Sequence, residues 1–419
     1  MRFLHVADLH LDSPLRGLDR YEESLAEEAR SATRRAFENL IAAAQREQVD
    51  LVVIAGDLYD GDWPDYNTGL FFIRGVARLA EEGIPVALVR GNHDAASRLS
   101  KSLRLPANVH LFADAKSETR IYDELGIAVH GQSFATAAVT DDLAARYPSP
   151  VAGLFNLGLL HSSLDGRPGH DPYAPTSLDV LRSKGYDYWA LGHVHAAEIV
   201  CREPWVVYPG NTQGRHIREK GAKGCALITV EDEVISHQCI ALDVMRWDHL
   251  RLDIDGLSDL EALLDQAMHD VQQRLADAAD RALAVRVQIQ GCGPLHQRLA
   301  ANREALEQQL RATTIEVSNG RAWIEKIEFR THPTLDLDQI AERDDPIGLL
   351  VRELRRLTTA EADLLELASE VLGDLQRKLP MELREGHETL SLESPETLRE
   401  LLGEVEAELL ARLSGGEAS

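Results

Sequence analysis

Short, unbroken apolar runs alternate with longer amphipathic stretches through the first 240 or so residues of this chain. Arg2–Ala7, Asp50–Ala55, Ile84–Val89, Phe155–Leu160 and Tyr186–Leu191 are such runs, rich in Val, Ile, Leu and Ala. Each reads as a strand covered on both faces, since a half-exposed strand would alternate apolar and polar positions. Between the first three, Glu22–Gln48 and Tyr66–Glu82 carry helical spacing. Buried strands alternating with helices predict a largely parallel sheet with helices against it. Trp205–Tyr208, Cys225–Val230 and Val234–Leu242 then read as shorter strands that add antiparallel partners and close a two-sheet sandwich.

The pattern changes near Leu242–His249. Arg251–Ile254, a helix over Asp259–Ala279, Leu283–Ile289, a helix over Leu295–Gln309, and strands at Thr314–Val317 and Trp323–Arg330 read as a small α/β module. Past Pro333 the chain turns Leu-, Glu- and Arg-rich, with helical periodicity over Pro346–Ala360, Glu361–Lys378 and Pro395–Leu413 and a tail, SGGEAS, expected to fray. Three domains are therefore expected, at 1–242, 243–333 and 334–419, in keeping with a prior of roughly 150 residues per domain.

Composition adds one constraint. The net charge is -25, and residues 336–419 alone hold 21 Asp and Glu against 9 Lys and Arg, a net of -12. Acidity of this degree lowers the expectation of a chain that grips nucleic acid unaided. No window is long and apolar enough for a membrane span, and the start lacks the pattern of a signal peptide, so a cytoplasmic protein without membrane attachment is expected. Cys201, Cys225, Cys239 and Cys292 have no metal-binding spacing and read as reduced thiols.

Candidate chemistry sits where the buried strands end. In chain order come Asp8-x-His10, Gly56-Asp57-x-x-Asp60, Gly91-Asn92-His93-Asp94, His161 and Gly192-His193-x-His195. In parallel sheets ligands bind outside the carboxyl ends of the strands, the position all five clusters occupy. The donors are carboxylate, amide and imidazole, with no thiolate. That set suits two hard or borderline divalent cations about 3.5–4 Å apart, which clamp the attacking and leaving oxygens of a phosphate ester. The two oxygens of a carboxylate such as Asp57 can bridge both cations, which an imidazole cannot.

The order DxH, GDxxD, GNHD, H, GHxH resembles the calcineurin-like metallophosphoesterase superfamily. FLHVADLHLDSP, AGDLYD, VRGNHD, LLHSS, YWALGHVH and YPGNTQGRHIRE resemble its DNA-repair exonuclease branch, the SbcD-like nucleases, and most closely the YhaO-type bacterial members. The resemblance implies a four-layer α/β/β/α sandwich over about residues 1–240, a small α/β capping domain after it and a C-terminal helical segment. It implies one metal held by Asp8, His10, Asp57 and His195 and a second by Asp57, Asn92, His161 and His193, with Asp57 bridging. His93 resembles the acid/base histidine, and Asp60 stands where a carboxylate commonly orients it. Manganese is the metal such nucleases favour, while magnesium, iron or zinc also fit the donors.

The resemblance further implies a metal-dependent DNA exonuclease, and also an endonuclease, acting in DNA repair beside an SMC-like ATPase, and a homodimer. Arg90 and the basic loop Arg215, His216, Arg218 and Lys220 are candidate contacts to substrate phosphates, or solvated surface. Two apolar stripes, Leu349, Leu350, Leu354, Leu357 and Leu398, Leu401, Leu402, Val405, Leu409, Leu413, either dock the ATPase or pack on each other. Two other readings keep the metals: a phosphodiesterase or phosphatase on nucleotides or other phosphoesters, and a weakly active scaffold of an ATPase complex.

Overall fold

A computed structural model describes residues 1–13, 15, 23–60, 67–96, 104–164, 173–279, 281–333, 337–378, 394–399, 401–403 and 405. The chain forms two compact units. The first comprises Met1–Asp248, Arg274–Val285 and Arg321–Glu325; the second comprises His249–Gln273, Arg286–Gly320 and Lys326–Ser419.

The chain opens with β1 (Arg2–Val6), α1 (Glu23–Arg46), β2 (Leu51–Ala55), α2 (Asn67–Glu81), β3 (Val86–Val89), α3 (Asn92–Ala96) and β4 (Val109–Leu111). Next come β5 (Glu118–Tyr122), β6 (Ile127–Gly131), β7 (Phe155–His161), α4 (Leu178–Ser183), β8 (Tyr188–Gly192), β9 (Glu198–Arg202) and β10 (Trp205–Tyr208). β11 (Gly224–Glu231) and β12 (Val234–Ala241) follow. They build two six-stranded sheets, ordered β12-β11-β1-β2-β3-β4 and β5-β6-β7-β8-β10-β9. The parallel strands are β1 to β4 in one sheet, with β4 at its edge, and β6, β7, β8 and β10 inside the other. β11 joins β1 antiparallel, as the strand pattern predicts.

Alternation along each strand sorts side chains into layers. Phe3, Leu51, Val53 and Ala87 of the first sheet pack against Val129, Leu157, Leu159 and Tyr188 of the second. On the outer face of the first sheet, Leu4, Val6, Ile54 and Leu88 meet Phe37, Leu40 and Ile41 of α1 and Phe72 and Val76 of α2. On the outer face of the second, Trp189, Leu191 and Tyr208 meet Leu181 of α4. The result is the expected four-layer α/β/β/α sandwich, with β1, β2, β3, β7 and β8 largely buried on both faces.

Beyond it lie β13 (Met245–Asp253), α5 (Leu260–Asp277), β14 (Ala282–Cys292), α6 (Leu295–Ala301), α7 (Arg303–Val317) and β15 (Ala322–His332), the strands forming a sheet in the order β13-β14-β15. Thr314–Val317, expected as a strand, is instead the last turn of α7. Leu306, Leu310 and Thr314 share one buried face of that helix at four-residue spacing, and this packing outweighs the β-branched residues' preference for strands.

The C-terminal helices are α8 (Leu337–Ala341), α9 (Pro346–Thr359) and α10 (Glu361–Lys378). Asp345 caps α9 by accepting from the Gly348 N–H at 2.8 Å. Leu354 and Leu357 of the first stripe are buried, whereas Leu349 is 64% exposed. Leu398, with Leu401 and Leu402 beside it, packs on Leu364 and Ala368 of α10. Part of the second stripe is thus internal packing; Leu409 and Leu413 lie outside the described residues. No helix among the described residues is long and apolar enough to cross a membrane.

Candidate metal centre

The loops that follow β1 and β2 are stitched together by backbone hydrogen bonds. Asp8 N–H donates to Gly56 O at 3.0 Å, His10 N–H to Asp57 O at 3.1 Å and Leu11 N–H to Leu58 O at 2.8 Å. Within them Asp8, His10 and Asp57 take positive φ angles of 52°, 44° and 53°, and His193 one of 100°. Left-handed backbone costs a non-glycine residue free energy, and its concentration here marks a loop shaped for its side chains rather than for its own stability. Gly91 makes room for them: a Cβ there would lie 2.2 Å from Asp57 Oδ1.

The ring nitrogens converge. His10 Nε2 and His195 Nε2 are 3.2 Å apart, and Asp8 Oδ1 is 3.9 Å from the latter. Asp57 Oδ2 lies 3.4 Å from His161 Nε2 and 4.0 Å from His10 Nε2. Asn92 Oδ1 is 3.0 Å from His161 Nε2. Donor atoms of Asp8, His10 and His195 all fall within 4.8 Å of one another, as do those of Asp8, Asp57 and His161. Two of the imidazoles are held from behind: His161 Nδ1 donates to Ala55 O at 2.8 Å, and His195 Nδ1 faces Glu219 Oε1 at 2.6 Å. Imidazole nitrogens and buried carboxylates gathered this closely are a donor set suited to divalent cations. His193 donates its backbone N–H to Asp8 Oδ2 at 3.1 Å, and its ring centroid stands 5.2 Å from that of His161.

Charge is concentrated accordingly. Burial resists ionisation of Asp57, but His161, His10 and His93 overcome it and hold the carboxyl well below the usual range. Burial pushes His161 down, and Asp57 with Asp8 more than reverses this, raising it to about 9. Burial, followed by repulsion from Arg215, lowers His10 to about 3. Burial raises Asp8 despite His195 and His161.

His93 stands at the rim, 39% exposed, with Nδ1 3.2 Å from Asp60 Oδ1. Asp60 also accepts from Ser13 Oγ at 2.8 Å, and its Oδ1 lies 3.5 Å from His10 Nδ1. Asp60 and His93 thus lie within ion-pair distance, and donor atoms of His10, Asp60 and His93 come within 4.8 Å of one another.

The basic loop is turned inward in part. Arg215 is 15% exposed, its Nη1 3.4 Å from Asp60 Oδ1 and 3.3 Å from Ser13 Oγ. His216 Nε2 lies 3.6 Å from Glu219 Oε1, Arg218 is exposed, and Arg90 is half-buried before Gly91. Two residues that lie inside quoted motifs are given no role by the sequence. Glu219, within GRHIRE, is buried behind His195, and His195 with Arg215 holds it below the usual carboxylate range against its burial. Asp94 accepts from Gly91 N–H at 3.1 Å and Tyr59 N–H at 3.2 Å, pinning the GNHD turn to the loop after β2. Burial, with Asp57 beside it, raises Asp94 to about 7. A carboxylate at the fourth position of a strand-end turn is the sequence signal for Asp94, and the place of Glu219 at the end of YPGNTQGRHIRE is the signal for it.

Residues 1–197 match the family model of calcineurin-like phosphoesterases, and residues 247–332 match that of the middle domain of the metallophosphoesterase YhaO. The uncharacterized metallophosphoesterase YhaO of Bacillus subtilis (strain 168) is 36% identical over 298 residues, covering 70% of this chain and 72% of that protein. The chain belongs to the calcineurin-like metallophosphoesterase family. This phosphoesterase is also similar to a DNA double-strand break repair protein Mre11 of Methanopyrus kandleri, 24% identical over 91% of this chain and 84% of that one. Among solved structures, a dimetal phosphatase of Danio rerio aligns with 58% of this chain and 96% of its own at 14% identity and a TM-score of 0.36. The phosphoesterase is thus a metal-dependent hydrolase of phosphate esters, and its family uses divalent metals.

Proposed function

We propose that this metallophosphoesterase is a two-metal DNA nuclease, an exonuclease first and an endonuclease second, that works in repair or end processing beside an SMC-like ATPase. The observation that carries the choice of DNA is the reach of the similarity to the protein named Mre11, which runs along 91% of the chain and so well past the phosphoesterase domain. Asp8, His10, Asp57 and His195 are assigned to one cation and Asp57, Asn92, His161 and His193 to the other, with manganese as the expected metal. Such cations supply Lewis-acid charge to the attacking water and to the phosphoryl oxygens.

The remaining work belongs to the chain. Ala55 O and Glu219 fix the rings of His161 and His195 so that Nε2 of each faces inward. The Asp57 carboxylate, ionised in its buried position, lies between the His10 and His161 sides of the centre. Asp60 holds Nδ1 of His93, and when the ring carries a proton on both nitrogens the Nε2–H on its far side can be given to the leaving 3′ or 5′ oxygen. The exposed Arg218 and the half-buried Arg90 and His216 are assigned to backbone phosphates.

A second reading, a phosphodiesterase or phosphatase on nucleotides or other small phosphoesters, is favoured by the net charge of -25 and by the inward turn of Arg215. Manganese-dependent digestion of linear duplex and hairpin DNA, run beside bis-p-nitrophenyl phosphate, separates the two. Hydrolysis of the small ester without any cleavage of DNA would remove the nuclease reading.

A further inference from the structure

We propose that Glu219 is a positioning residue that sets the tautomer of His195, so that the Nε2 lone pair is presented to the metal centre; this rests on the two-metal reading above. Glu219 is 7% exposed, and its Oε1 lies 2.6 Å from His195 Nδ1. Its other oxygen, Oε2, receives the Arg215 N–H at 2.7 Å and the Asn211 Nδ2 at 2.8 Å. A backbone amide and a carboxamide NH2 can only donate, so Oε2 is an acceptor on both counts. The Arg215 guanidinium, 3.8 Å from Oε1, favours the anionic carboxylate. The proton in the short contact therefore sits on His195 Nδ1. A neutral imidazole carries one N–H, so Nε2 keeps its lone pair, and Nε2 is the atom aimed at His10 and Asp8. Arg215 Nη2 approaches the same Nδ1 only to 3.5 Å, too far to displace the shorter contact.

The same network makes an isosteric change informative. In Glu219→Gln the amide oxygen must face Arg215 N–H and Asn211 Nδ2, because an NH2 placed there would meet two donors. The NH2 of the new side chain then faces His195 Nδ1, which can only accept. The ring proton moves to Nε2 and covers the atom that binds metal.

The test is 15N NMR of the His195 ring in metal-free full-length protein, with His195→Gln to assign the signals, followed by calorimetric titration with Mn2+. The expected result is an Nδ1–H tautomer in the wild type, an Nε2–H tautomer in Glu219→Gln, and binding at one of two Mn2+ sites weakened about 10–100-fold in the variant. An Nε2–H tautomer in the wild type overturns the assignment, and needs no variant to fold. Unchanged Mn2+ affinity in a folded Glu219→Gln protein overturns it equally. Neither measurement involves DNA, so absence of DNA cleavage with these results in hand would remove the nuclease reading and leave Glu219 in its role.

Discussion

His10 and His195, 185 positions apart in the chain, aim their Nε2 atoms at each other across 3.2 Å. With Glu219 occupying the far nitrogen of His195, the Nε2 lone pair of that ring faces His10 across a gap that a shared cation can fill. Mn2+ added to chelator-treated protein should therefore raise the melting temperature in a concentration-dependent way. At a hundredfold excess over Kd the gain corresponds to about 2.7 kcal/mol. A melting temperature indifferent to both Mn2+ and EDTA would remove the metal centre.

His93 is assigned to proton transfer rather than to metal. His93→Ala should keep its metal content while turnover of bis-p-nitrophenyl phosphate falls about 10²–10⁴-fold. Because His93, Asp60 and His10 bring donor atoms within 4.8 Å of one another, elemental analysis of this variant decides the matter. Loss of metal would make His93 a ligand.

Asp57 touches both halves of the site, through Oδ2 towards His161 and His10 and through Oδ1, which accepts the His93 N–H at 3.0 Å. Asp57→Ala should lose both cations, whereas His195→Ala should lose one. Metal counting on the purified variants checks this, and one Mn2+ retained per chain in Asp57→Ala would deny Asp57 its bridging role.

What the sequence made legible follows from one physical fact. Strands buried on both faces leave unbroken apolar runs, and the residue after each run is where a parallel sheet exposes its ligands. Asp8, Asp57, Asn92, His161 and His193 all stand at such ends. Short strands with mixed burial, such as Val109–Leu111 and Glu118–Tyr122, leave no such trace. Glu219 stayed hidden because a carboxylate among Arg, His and Lys looks like solvated surface until the fold buries it behind His195. Thr314–Val317 misleads because its β-branched residues continue a helical face, Leu306, Leu310 and Thr314, that the fold buries.

Gly192 ends β8 against the end of β2. A Cβ on it would lie 2.0 Å from Ala55 O, the atom that holds His161, and 2.9 Å from His161 Nδ1 itself. Gly192→Ala should therefore push the strand ends apart and disturb the acceptor of His161. The expected loss is about 1–3 kcal/mol of stability, as for other overpacked sites, together with weaker Mn2+ binding. Chemical denaturation with and without Mn2+ measures both, and a variant with wild-type stability and affinity would contradict the contact.

His5 gives the fold an acid limit. It is fully buried, with Nδ1 3.0 Å from Tyr188 Oη and Nε2 3.2 Å from Leu191 O. The backbone carbonyl can only accept, so Nε2 carries the proton and Nδ1 accepts from the tyrosine. A second proton on Nδ1 would break the Tyr188 contact and place a charge in the core. Burial accordingly lowers His5 from 6.5 to about 3, with the Leu191 bond opposing. The unfolded chain takes up a proton that the folded one refuses, so stability is fully present above pH 6.5 and falls as the pH drops towards 3. The slope in that window is about 1.4 kcal/mol per pH unit from this residue alone. His5→Gln, which can keep a donor towards Leu191 O but cannot titrate, should flatten the decline by that amount. Denaturation curves for the two proteins at several pH values between these limits provide the comparison, and parallel declines would show that some other group sets the acid limit.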